Sequence, residues 1–140
     1  MTENYKIIGN FIKDMSSETP DTPTYIYVRD KISKYKLNID INSKAVKNGI
    51  IEVNTIIKFS DQPEILKKAH FEITYTSIVK VDEKVSDKKE MEKIILCDVP
   101  NKIYPDLERI FLNLLTDSGY PGIKFEKKID FTELYKQRAN

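Results

Sequence analysis

The stretch KYKLNIDIN (34–42) alternates without error, with Tyr35, Leu37, Ile39 and Ile41 apolar and Lys34, Lys36, Asn38, Asp40 and Asn42 between and around them. A period of two puts all four apolar side chains on one face of an extended chain, so the segment requires a sheet with one buried and one wet side. IIEVNTIIKF (50–59) repeats the pattern with Ile51, Val53, Ile57 and Phe59, and AHFEITYTSIVKV (69–81) with Phe71, Ile73, Tyr75, Val79 and Val81. NYKIIGNFIKD (4–14) is a fourth, less regular strand. Lys47-Asn48-Gly49 and Ser60-Asp61-Gln62-Pro63 supply turn chemistry, since Gly and Asn accept positive φ and Pro has no donor for a ladder. Links this short between the last three strands predict an antiparallel meander. SSETPDTPTY (16–25), with Pro20 and Pro23, reads as an extended crossing segment and not as an element.

The second half changes period to 3.6. Ser86 is placed to cap a helix running to about Leu96, with Met91, Ile94 and Ile95 inward and Pro100 shortly after its end. A further helix starts with Pro105 at its first position, carries Leu107, Ile110, Phe111, Leu114 and Leu115 at i, i+3, i+4, i+7 and i+8, and stops at Gly119 and Pro121. Asp130-Phe131-Thr132-Glu133 has capping-box spacing for a last short helix with Phe131, Leu134 and Tyr135. Strands followed by helices predict an α+β fold: one domain over residues 1–140, a four-stranded antiparallel sheet with helices packed on one face.

Chemistry is sparse. The single histidine, His70, has no second histidine or cysteine pair to complete a zinc site, and Cys97 sits at an apolar helix end where an inert buried thiol is expected. None of the four glycines falls in a phosphate-cradling motif and no nucleophile elbow is present, so neither an enzyme nor a cofactor or metal site is expected. A lone cysteine fits a reducing compartment, and without a signal peptide or an apolar membrane span the expected location is cytoplasmic. With 23 basic and 22 acidic side chains the net charge is +1, too balanced for generic attraction to nucleic acid. Eight Tyr and six Phe stand out. On a sheet they form core, or a platform for RNA bases or apolar peptide; Asp14, Asp40, Glu52 and Glu72 on the polar faces weigh against RNA. Leu112 lies off the main helical stripe, and surplus apolar surface of this kind points to oligomerisation or a binding groove.

FIKDMSSETPDTP (11–23) resembles a signature of SecB, the protein-export chaperone family, in which aromatic-x-Lys-Asp-hydrophobic-Ser runs into Glu-x-Pro and a second proline three residues on. PNKIYP (100–105), GYP (119–121) and DFTELY (130–135) are similar, in order and spacing, to that family's Cys-Pro-aromatic-Pro helix start, Gly-x-Pro exit and final Phe-x-x-Leu-aromatic segment. The resemblance covers about residues 5–136. It implies a chaperone without ATPase activity that holds unfolded precursor proteins and passes them to SecA, assembled as a dimer of dimers. It places Tyr35, Leu37, Ile39, Tyr104, Phe131 and Leu134 in a client-binding groove and Phe71, Ile73 and Tyr75 between subunits. Asp14, Glu18 and Glu72 match the carboxylates that meet the zinc-containing C-terminal tail of SecA, with His70 where the family carries an apolar residue. A variant of the same reading is a SecB-like chaperone dedicated to one partner such as an antitoxin. The chain departs from the resemblance in its neutral charge, in Thr76-Ser77 for a small Gly-Gly or Ala-Gly step, and in Glu108 where an arginine is common, with Arg109 one place later.

Overall fold

A computed structural model describes residues 4–61, 68–125 and 129–139. Four strands, β1 (Tyr5–Glu18), β2 (Lys36–Lys47), β3 (Ile50–Ser60) and β4 (His70–Val81), form one sheet in the order β1-β4-β3-β2. Every neighbouring pair is antiparallel. The expected meander is present, and β1 returns beside β4 as the far edge. β2 and β3 are joined through Asn48 and Gly49, both at positive φ (53° and 75°), the geometry that a two-residue hairpin with right-handed strand twist requires. Gln62 and Pro63 of the second expected turn lie outside the described residues.

The link from β1 to β2 differs from the extended segment expected of SSETPDTPTY. Ser16–Glu18 still belong to β1, and α1 occupies Thr22–Lys31. The Asp21 carboxylate caps it, accepting from the Thr24 N–H at 2.8 Å, and Pro23 sits in the first turn, where a missing N–H is no loss. Helical periodicity did not reveal α1 because it has no apolar stripe. Tertiary contacts hold it instead: Val28 is buried, the Tyr25 hydroxyl donates to the Gly119 carbonyl at 2.7 Å, and the Tyr25 and Tyr120 rings are 5.2 Å apart.

The two helices expected on either side of Pro100 are one continuous body. α2 (Lys88–Lys93) is capped by Asp87, not Ser86; it passes through a π turn (Ile94–Asp98) into α3 (Val99–Asp117). At the end of the π turn the Val99 N–H reaches back five residues to the Ile94 carbonyl, so the hydrogen-bond register shifts just where Pro100 has no donor to offer. Pro105 therefore lies inside α3 and not at its start. The C-terminus is as expected: Gly119 at φ 102° follows Ser118, and the Tyr120 and Gly119 N–H groups close on the Leu115 and Thr116 carbonyls at 2.9 and 3.1 Å. α4 (Phe131–Ala139) begins at Asp130, which accepts from the Thr132 and Glu133 N–H groups.

α3 lies along one face of the sheet. Leu107, Phe111 and Leu115 are fully buried against Ile57, Phe71 and Ile73, and a chain of rings, Tyr35–Phe59–Phe71–Tyr120, runs beneath the helix with centroids 5.4–6.2 Å apart. Cys97 is buried, as expected. Phe71 and Ile73 are 0% and Tyr75 is 8% exposed, so these three are core of a single chain and do not present a contact surface to a second copy. A period of two marks the buried face of a strand without saying whether the same chain or another covers it.

Two features predict stability effects. A Cβ at Gly119 would lie 2.7 Å from the Tyr25 ring, at a φ that L residues rarely adopt. Gly119→Ala is expected to cost about 1–3 kcal/mol in urea unfolding. Thr55 and Ser77 are buried on the helix-facing side, and their hydroxyls have no hydrogen-bond partner among the described residues. Thr55→Val removes an unsatisfied donor at constant shape and is expected to gain about 1 kcal/mol in the same measurement.

Candidate binding surfaces

The sheet face away from α3 carries a charged corner. Directly opposed residues share a face, and Glu18 opposes His70, Ser16 opposes Glu72, and Asp14 opposes Thr74. All four residues singled out for an acidic contact, Asp14, Glu18, His70 and Glu72, thus stand together on the outer face at one end of β1 and β4. Asp14 and Glu18 are exposed. Glu72 is half-buried between Lys58 (Nζ to Oε1, 3.4 Å) and His70 (Nε2 to Oε2, 3.8 Å). Lys58 was not anticipated; it opposes Glu72 across β3 and β4, a register that only strand pairing reveals.

Farther along the same face Glu52 accepts from Lys13 at 3.0 Å and from the Asn54 amide at 3.1 Å, and these bonds hold its carboxyl below the usual carboxylate range. Asn54 also donates to Asn42 and accepts from Thr76, forming a polar ladder across three strands. This ladder explains the departure at Thr76: its hydroxyl is committed to Asn54.

On the other side, three clefts follow β2 and α3. One of about 980 Å³ lies between β2 and residues 122–125 and 129 and includes Tyr35 and Leu37. A second, of about 700 Å³, lies between α3 and Phe125 and Ile129 and includes Tyr104. The third, of about 190 Å³, sits between β2 and α4 and includes Ile39, Phe131 and Leu134. Each of the six predicted groove residues lines one of these clefts. Their roles differ, because Tyr35, Tyr104 and Phe131 are buried and form the floor, whereas Leu134 is 47% exposed on the rim.

Tyr35 is held by the Ala69 backbone, accepting from its N–H at 3.1 Å and donating to its carbonyl at 3.3 Å; burial pushes its phenol pKa up. Burial pushes the Tyr104 phenol up as well, with the Glu108 carboxylate adding to it. The Tyr104 and Phe131 rings meet at 5.6 Å, which ties α4 to α3. Phe125 and Ile129, which line the two larger clefts, escaped the sequence reading. Phe125 sits in a loop but packs against Phe59 and Phe111 at 5.8 and 6.2 Å; Leu112, the residue off the helical stripe, lines the same cleft.

Both sheet edges are open among the described residues. β1, 14 residues long, exposes Ile8, Phe11, Ile12 and Met15, while β2 carries Lys36, Lys44 and Lys47. Lysines on an edge discourage uncontrolled strand pairing; a long apolar edge invites it. Among the described residues no group of three His, Cys, Asp or Glu is arranged to hold a metal, and no helix is long and apolar enough to cross a membrane.

The chain was compared with known proteins. The family model described as preprotein translocase subunit SecB matches residues 1–140. A protein of Pelagibacter ubique, whose name assigns it provisionally to protein-export protein SecB, is 98% identical over 140 residues, all of both chains. Protein-export protein SecB of Rhodospirillum rubrum is 26% identical over 135 residues, 95% of this chain and 81% of the other. That of Methylocella silvestris is 24% identical over 130 residues, 93% of this chain and 79% of the other. Among solved structures, a Mycobacterium tuberculosis SecB-like chaperone in complex with a ChAD peptide from an antitoxin superposes with a TM-score of 0.64 at 14% identity, covering 89% of this chain and 91% of that one. With the α+β sheet, the order of its motifs and a family match over its full length all in agreement, this chain belongs to the SecB family.

Proposed function

We propose that the chain acts as one unit, an ATP-independent holdase that binds unfolded precursor proteins in the clefts along β2 and α3 and presents its charged outer corner to SecA. One observation carries the reading. The clefts border β2 and the helix layer, whereas Asp14, Glu18 and Glu72 stand on the opposite sheet face at the β1–β4 end, so a client and a delivery partner can be held together. Apolar burial is non-directional, at about 25 cal/mol per Å², which suits clients of varied sequence. The charged corner suits a basic segment such as the zinc-containing tail of SecA, with an attraction that weakens as salt rises. Lys58 tempers that corner at Glu72, so Asp14 and Glu18, which form no ion pair among the described residues, are its least compensated charges.

The same geometry supports assembly through β1, apart from Phe71, Ile73 and Tyr75, which are buried within the single chain. The exposed apolar side chains of β1, on an edge with unpaired backbone, support self-association there, and a dimer of dimers is the expected product. A second reading, a SecB-like chaperone devoted to one partner, draws support from the fold shared with the antitoxin-peptide complex.

The chain is expected to suppress aggregation of an unfolded precursor at stoichiometric amounts without ATP; no suppression overturns the chaperone reading. Asp14→Lys or Glu72→Lys is expected to lower affinity for the SecA tail peptide about tenfold or more in a calorimetric titration while leaving suppression intact. Unchanged affinity overturns the docking assignment. Suppression of one client alone, among several unrelated ones, would favour the dedicated-partner reading. Light scattering is expected to return a tetramer that Ile12→Lys on β1 breaks down, and a monomer at all concentrations overturns the assembly.

A further inference from the structure

The largest of the three clefts has a charge bias that its neighbours lack. Leu37, Phe59, Ile123 and Phe125 are among its apolar lining residues, and among the described residues that line it the charged ones are Lys36 and Lys124. Both lysines are exposed, and neither forms an ion pair among the described residues. Asp61, whose field reaches Tyr35, follows β3 and is not among the residues lining the cleft. The adjoining clefts carry Glu108 with Arg109 in one and Asp40 in the other, so among the described residues the positive bias belongs to this cleft and not to the whole groove.

Two exposed lysines among the lining residues of a cleft have definite consequences for an extended chain laid across it. An apolar side chain fills the cleft, and the residues flanking it pass the lysines, where a carboxylate meets an opposite charge and a cationic side chain meets a like charge. We infer that the Lys36–Lys124 cleft selects client segments in which an aromatic or aliphatic residue is flanked by Asp or Glu, and disfavours those flanked by Lys or Arg. The inference rests on the reading of the clefts as the client site. It gives the +1 net charge a local meaning: the basic side chains that offset the acids of the chain include two that line the largest of the three clefts.

The test uses the full chain and two fluorescently labelled peptides with the same Phe/Leu core, one flanked by glutamates and one by lysines, titrated by anisotropy. At low ionic strength the Glu-flanked peptide is expected to bind about fivefold to tenfold tighter, the scale of two exposed charge contacts, and the difference is expected to vanish at about 0.5 M salt. Lys36→Ala with Lys124→Ala is expected to abolish the preference and Lys36→Glu with Lys124→Glu to invert it; because both side chains are exposed, the far-UV circular dichroism of each variant should match the parent. Equal affinity for the two peptides, tighter binding of the Lys-flanked one, or a preference that survives the alanine variant overturns the charge selection while leaving the client site standing. Failure of both peptides to bind overturns the client site and the selection together.

Discussion

The stacking of aromatic rings between the sheet and α3 is the contact on which the rest of the molecule depends. Phe59 and Phe71 rise from β3 and β4, Phe111 comes down from α3 to meet Phe59 edge-on at 6.0 Å, and Tyr35 and Tyr120 close the two ends. Each ring buries more area than an aliphatic side chain and prefers a tilted neighbour, so one layer of rings sets both the spacing of helix from sheet and the direction of the helix across it. Everything offered to a partner is what this layer leaves over. The opposite sheet face stays wet, the two edge strands stay unpaired among the described residues, and clefts open between the helix layer and β2.

The helix end and the crossover are tied to that core at one point. Gly119 lets α3 stop against Tyr25 of α1, and Tyr120 then turns inward onto Phe71. The Tyr120 hydroxyl also meets Thr19 at 2.9 Å, and Ser118 meets Ser17 at 2.6 Å, so the end of α3 is fastened to the end of β1. The charged corner at Glu18 and His70 lies on the other face of this same end of β1. Its geometry is therefore tied through β1 to the end of α3.

Much of this was legible from residue order. The alternation in KYKLNIDIN and the two later strands is a direct imprint of a sheet with one buried face, and Gly119 with Pro121 marks a helix end because few residues adopt that backbone. Pro20, Pro23 and Pro100 misled for one reason. Pro20 and Pro23 suggested an extended link and Pro100 a break, yet a proline near a helix start or beside a π turn forfeits no hydrogen bond, and whether its chain is helical depends on what it packs against. α1 has no apolar stripe to read, so its buried Val28 and its bond to Gly119 could not be foreseen.

The candidate surfaces divide along the same line. Motif order and apolar patterning in the chain determined the SecB family and the sheet with its helices, because each of these is local or repeats at a fixed spacing. Tertiary structure alone decided that Phe71, Ile73 and Tyr75 are core, that Lys58 stands against Glu72, and that Phe125 and Ile129 from a distant loop line the clefts with Tyr35 and Tyr104. The physical reason is that burial and charge pairing are properties of what lies opposite a residue. A period says that a side chain will be covered; only the folded chain says by what.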